Sequence, residues 1–106
     1  MAADTPAGTP PAAVDRLIHE PARLAIMTNL FVVESANATY LLQQTGLTWG
    51  NLGAHLAKLE AAGYLAITKG YRGSRPETTV ALTGTGRTAL LGYRRQLLAA
   101  LDPISE

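Results

Sequence analysis

The chain has 106 residues, 47% of them hydrophobic and 16% charged, with a formal net charge of +1 and no cysteine. That size suits one small domain with modest burial of its own, which a second subunit would stabilise. The lack of cysteine excludes a disulfide framework, a thiolate metal site and a cysteine nucleophile. No apolar run approaches the ~20 residues that span a bilayer, and the first residues carry no secretory pattern, so cytoplasmic residence is expected.

In chain order, residues 1–13 are mostly alanine, proline, threonine and glycine with a single charge. Such a segment cannot bury enough apolar surface to order itself, and a flexible tail is expected. Residues 14–18 read as a short helical turn. Glu20-Pro21 then opens the first long helix, with proline at its favoured first position. Leu24, Met27, Leu30 and Phe31 recur at three- and four-residue spacing and predict a core-facing stripe. Ile26, Val32 and Val33 lie off that stripe, so the helix is apolar almost all round and calls for a second packing partner.

Asn37 is the expected N-cap of a short helix over 38–45 that carries Tyr40, Leu41 and Leu42, and Gly46 ends it. Thr48 caps the next helix, which runs to Ala62 and stops at Gly63. Segments 65–68 and 78–82 suit a short antiparallel pair. Gly70, Gly73 and Pro76 lie between them, which predicts a loop rather than a tight two-residue turn. Thr83 caps a last helix over 84–101. There Leu90, Tyr93, Leu97 and Leu101 form one stripe, and Leu91 and Leu98 form another one heptad apart. One stripe covers the core and the other predicts a homodimer, with Ile26, Phe31, Val33, Leu91, Leu98 and Leu101 at the interface. The fold class is α+β, mostly α. Residues 14–101 form a winged helix-turn-helix with a two-stranded wing and dimerisation helices at both ends, and 102–106 form a tail.

Charge is distributed unevenly. Residues 48–76 hold Lys58, Lys69, Arg72 and Arg75 against Glu60 alone, the electrostatic footprint expected of a nucleic-acid binder. On the third helix Leu52, Leu56 and Leu59 share the buried line. Gly50, Ala54, Ala57 and Ala61 point the opposite way, flanked by Asn51 and Lys58, so the exposed face near the helix start has little bulk. Gly50 and Gly53 each cost roughly 1 kcal/mol of helix propensity against alanine. Either a groove-inserted helix needs close backbone approach there, or the first turn is frayed.

Asn51 is the best candidate base reader, because its amide can bond both the donor and the acceptor of an adenine edge. Its alternative is a helix-start role on backbone amides or water. Lys58 suits a phosphate, or is a solvated lysine. Trp49 is expected to pack over the turn, with contact to a sugar or thymine methyl as the minority reading. His55 is expected to be a satisfied boundary histidine, with phosphate contact second. Lys69, Arg72, Ser74 and Arg75 cluster on the hairpin, where arginine can enter a narrow minor groove. A solvated charged loop is the plain alternative.

The run HEPAR at 19–23 resembles the start of a zinc-protease motif but lacks its second histidine. Asp15 and His19 at i,i+4 supply two ligands, which do not make a metal site. No nucleophile has a base and orienter nearby in sequence. No enzyme activity, metal or cofactor is expected.

Residues 14–100 resemble winged-helix transcriptional regulators related to the MarR and ArsR families. The match is closest to MarR-like domains with a GNL-x-x-HL-x-x-LE-x-AGY signature. Here it stands as Gly50-Asn51-Leu52, His55-Leu56, Leu59-Glu60 and Ala62-Gly63-Tyr64. IHEPARLAIM and RPETTVALTGTGR are also similar to that group. The resemblance implies a dimer, a recognition helix starting near Thr48 and a wing carrying Arg72 and Arg75. Three places depart from the pattern: Trp49 stands where acidic or small residues are frequent, Gly53 where serine is common, and Gly84-Thr85-Gly86 where Glu-Glu-Gly is usual.

The expectation is a sequence-specific regulator on a pseudo-palindromic double-stranded operator. Two alternatives stand beside it. One is a protein-interaction module without DNA binding. The other is a regulator gated by a small molecule held between the first and last helices near Phe31, Tyr40 or Tyr93.

Overall fold

Helix boundaries in this protein are set by side chains that accept the first free backbone N–H groups. The computed structural model describes residues 14–105. Its elements are α1 (Pro21–Val33), β1 (Ser35–Asn37), α2 (Ala38–Thr45), α3 (Trp49–Ala61), β2 (Leu65–Arg72), β3 (Arg75–Leu82) and α4 (Gly84–Leu101). Glu20 caps α1 through Arg23 N, Asn37 caps α2 through Tyr40 N, and Thr48 caps α3 through Asn51 N. Thr83 caps α4 through Gly86 N. The Glu20 carboxyl is held below its ordinary range, chiefly by that Arg23 N–H. The expected tail over 1–13 lies outside the described residues, as does Glu106.

The three strands form one antiparallel sheet in the order β1-β3-β2. Strand β1 pairs Ser35 with Ala81 and Asn37 with Thr79. The sheet therefore has a third strand beyond the expected pair. Three residues with no alternating pattern give no local signal, and their partner lies far along the chain. The hairpin also differs from expectation. Strands β2 and β3 pair out to Arg72 opposite Arg75, so Gly73-Ser74 is a tight two-residue turn. Gly73, at φ 66, supplies the left-handed residue such a turn needs.

The core gathers Ile18, Ile26, Met27, Leu30, Leu41, Leu52, Leu59 and Val80, all fully enclosed. Ile26 is 0% exposed, which removes it from any contact with a second subunit. The faces of α1 are thus rotated from the expected stripe: Ile26, Met27 and Leu30 turn inward while Leu24 and Phe31 are half-buried. Helix α1 ends on Glu34 at φ 71, held by Glu34 N to Leu30 O at 2.8 Å and Leu82 N to Glu34 O at 3.0 Å.

Helices α1 and α4 leave a groove of about 550 Å³ between them, lined by Leu24, Phe31, Val32, Leu91, Tyr93 and Leu98 among others. Burial raises the pKa of the Tyr93 phenol that faces it. Tyr40 is not in this groove. It lies beside Val33, Ser35 and Asn37.

Candidate nucleic-acid interface

Helix α3 is anchored on one face only. Leu52, Leu56 and Leu59 are buried, while Gly50, Asn51, Ala54, Lys58 and Ala61 are exposed. Thr48 Oγ1 accepts from Asn51 N at 3.2 Å and fixes the first turn. The Asn51 side chain makes no hydrogen bond to the described residues, which leaves its donor and acceptor free. A Cβ added at Gly50 or Gly53 would meet nothing within 4 Å. The fold itself therefore has no need of glycine at either place.

The hairpin sets charge on one side. Cross-strand partners share a face, so Arg72 and Arg75 stand side by side with Glu77, which lies opposite Gly70. Lys69 and Tyr71 occupy the other face. Glu77 Oε2 lies 3.7 Å from Arg72 Nη1 and accepts from Asn37 Nδ2 at 3.3 Å. Asn37 thus does two jobs, since its Oδ1 already caps α2 at 2.8 Å. A cleft of about 420 Å³ is lined by Asn37, Trp49, Arg72, Arg75, Pro76 and Glu77 among others. It joins the starts of α2 and α3 to the hairpin tip.

Behind this surface the supports are polar and specific. The Tyr64 phenol donates to Asp15 Oδ2 at 2.6 Å, tying the segment before α1 to the end of α3. That bond, then burial and the carboxylate charge, pushes the Tyr64 pKa up to about 12. Asp15 Oδ1 is occupied by Leu17 N and Ile18 N, and His19 Nδ1 pairs with Tyr93 Oη at 2.8 Å. Among the described residues no cluster of three or more His, Asp or Glu side chains could hold a metal ion. Arg23 Nη1 lies 3.1 Å from His55 Nδ1, which draws the half-buried imidazole toward α1.

A three-helix head followed by an arginine-bearing ribbon matches the winged helix DNA-binding domain family over residues 22–101. The chain belongs to that family. The winged helix domain is 31% identical over 83 residues to an uncharacterised protein of Methanocaldococcus jannaschii, covering 78% of this chain and 90% of that one. Its fold is similar to a transcriptional regulator homologue from Pyrococcus horikoshii, with 28% identity and a TM-score of 0.80 over 87% and 91% of the two chains. The PcaV transcriptional regulator of Streptomyces coelicolor gives 15% identity and a TM-score of 0.72 over 90% and 71%. NadR in complex with 4-hydroxyphenylacetate gives 17% and 0.64 over 83% and 64%. The domain is a winged helix DNA-binding domain of transcriptional-regulator type, which is not an enzyme family. No described helix is long and apolar enough to cross a membrane.

In this winged helix domain the cleft brings Trp49, Arg72 and Arg75 together, while Lys69 and Ser74 do not line it. Trp49 is 59% exposed. It does not pack over the turn as expected, because Leu52 and Leu56 already fill the buried side of α3. Glu77 and the second role of Asn37 escaped the sequence reading. A signal was present, since Glu77 is the only acidic residue between Glu60 and Asp102.

Proposed function

We propose that this protein regulates transcription as a homodimer on a pseudo-palindromic double-stranded DNA operator. Helix α3 would enter the major groove by its N-terminal half, presenting Thr48, Trp49, Gly50, Asn51, Ala54 and His55, with Lys58 further along the helix toward the DNA backbone. The hairpin would set Arg72 and Arg75, with Ser74 in the turn between them and Lys69 on the opposite face of the ribbon, on the minor groove or backbone. The observation that carries this is the bare exposed face of α3, together with the cleft that Trp49 at the start of that helix shares with the paired wing arginines. Asn51 would read a base edge and the cations would meet phosphate.

The dimer is supported by the α1–α4 side. Val32 is 80% exposed and Leu98 51%, and Leu91 and Leu101 are exposed with them. A second copy seated on α1 and α4, against Phe31, Val33, Leu91, Leu98 and Leu101, would cover this apolar surface. A small-molecule effector is a second reading. The groove sets Arg94 beside Phe31 and Tyr93, which suits an aromatic carboxylate, and NadR is similar in fold and binds one.

The test is operator selection from random duplexes, then anisotropy titrations of variants. Asn51→Ala should cost roughly 1–3 kcal/mol on the selected site and little on random DNA. Arg75→Ala should weaken both and lower the salt slope by about one. If neither variant changes affinity, the protein-interaction role takes over. Cytoplasmic residence accords with this function.

A further inference from the structure

The surface that would meet DNA holds one acid, and that acid is fixed in place. Glu77 accepts from Asn37 Nδ2 at 3.3 Å, and Asn37 is itself locked by capping α2. The carboxylate therefore cannot swing out of the cleft without breaking a bond to a rigid helix start. Its cross-strand place is empty because Gly70 stands opposite, so the nearest cation is the diagonal Arg72 at 3.7 Å. Arg72 in turn faces Arg75 directly, an unfavourable like-charge pair that a nearby carboxylate relieves.

We propose that Glu77 competes with DNA phosphate for Arg72 and so holds down non-specific affinity. This rests on the DNA-binding function proposed above and assigns the residue that sets its discrimination. The Arg72–Glu77 pair is solvent-exposed, and such pairs add little to fold stability. Its effect is therefore felt at the surface. In free protein Arg72 has a carboxylate 3.7 Å away, whereas Arg75 has none within ion-pair distance among the described residues. Any duplex that approaches must exchange the carboxylate for a phosphate and then leave Glu77 facing an anionic backbone. Random DNA offers only phosphate contacts, so it carries the whole penalty. An operator also bonds Asn51 through base edges, and those bonds offset the exchange.

The experiment titrates a random-sequence duplex and the selected operator with wild type, Glu77→Gln, Arg72→Ala and the double variant. Each is measured from about 50 to about 200 mM salt, the range over which phosphate contacts are felt most. Glutamine keeps an acceptor for Asn37, and Glu77→Thr, which matches the adjacent β-branched residues, serves as a second uncharged variant. Glu77→Gln should bind random DNA roughly fivefold tighter and steepen its salt slope by about one. Operator affinity should rise less, so the ratio of specific to non-specific binding falls. In the Arg72→Ala background the same change should gain less than about twofold.

Unchanged or weaker random binding by both uncharged variants would overturn the proposal. So would a gain that persists undiminished without Arg72. Loss of operator binding alone would mean that Glu77 reads a cytosine amino group instead, and would also overturn it. If wild type and all variants bind no duplex at any salt, the DNA-binding function itself fails. That outcome is distinct from a wild type that binds while Glu77→Gln behaves identically.

Discussion

The side formed by α3 and the hairpin exposes glycine, alanine, asparagine and arginine, whereas the side formed by α1 and α4 exposes Val32, Leu91, Leu98 and Leu101. Both are bare in the single chain, yet water treats them differently. Exposed apolar area costs about 25 cal/mol per Å², so the α1–α4 side gains by being covered with any matching apolar surface. On the α3 side only Trp49 and Tyr71 are large exposed hydrophobics, and the rest gains little from apolar cover. Its partner must supply negative charge and hydrogen-bonding edges. Exposure alone does not tell an interface from a solvated surface, but the chemistry of what is exposed does.

The largest effect should come from making the apolar side resemble the polar one. Leu98→Asp would bury an unpaired charge, a loss of roughly 3–5 kcal/mol, or about a thousandfold in the dimer constant. Sedimentation should find monomers at concentrations where wild type is dimeric. A monomeric wild type at micromolar concentration would break the comparison.

A somewhat smaller effect should follow from disturbing the joint between the two sides. A Cβ at Gly86 would sit 2.2 Å from the Tyr64 carbonyl oxygen and 2.9 Å from Leu82 Cδ1. That oxygen is already held by the Thr83 N–H at 3.1 Å and cannot easily step aside, so Gly86→Ala should cost about 3 kcal/mol in chemical denaturation. A wild-type midpoint would show that α4 can shift freely.

Tyr64→Phe tests the polar supports behind α3 and should cost about 1.5 kcal/mol, as for a bond to a charged acceptor. It also has a pH signature. Folding raises the phenol pKa from its ordinary 10.0 to about 12, so the folded chain keeps a proton that the unfolded chain releases. The stabilisation is whole below pH 10 and is lost as pH rises toward 12. Wild-type stability should fall through that window, and the variant should fall less.

The smallest effect is the most discriminating. Gly53→Ala adds a methyl where nothing lies within 4 Å, and should stabilise the fold by about 1 kcal/mol through helix propensity. Operator affinity should nevertheless drop, because the methyl sits on the bare face of α3. A variant that is stabler and binds equally well would show that close approach is not used.

Local chemistry made much of the fold legible. Asn37, Thr48 and Thr83 announce helix starts, because a cap is decided within three residues. The Leu52, Leu56 and Leu59 line places the exposed face of α3 by periodicity alone. What was hidden depends on distant partners. Ser35–Asn37 becomes a strand only because β3 arrives beside it. Gly70 and Pro76 read as breakers, yet both sit in strands. Pro76 is tolerated because β1 pairs only with residues 79–81 of β3, so no ladder bond is required on that flank. Glu34, with a positive φ without being glycine, is held by a bond from Leu82 N–H, 48 residues away, that no local sequence window contains. Ile26 faced inward for a similar reason, since the packing of α2 and α3 on α1 decides which apolar face is core.

Thr83 has a mechanical consequence. Its hydroxyl donates to Gly63 O at 2.6 Å and accepts from Gly86 N at 2.9 Å, while its N–H bonds Tyr64 O at 3.1 Å. The end of α3 and the root of α4 are therefore riveted at one residue. Helix α4 has 18 residues, a rod of roughly 27 Å, so a tilt of about 10° at the rivet sweeps its far end through roughly 5 Å. Two chains joined along α4 would behave as calipers. Their opening angle would set the distance between the two α3 tips, and so whether both can reach successive grooves about 34 Å apart.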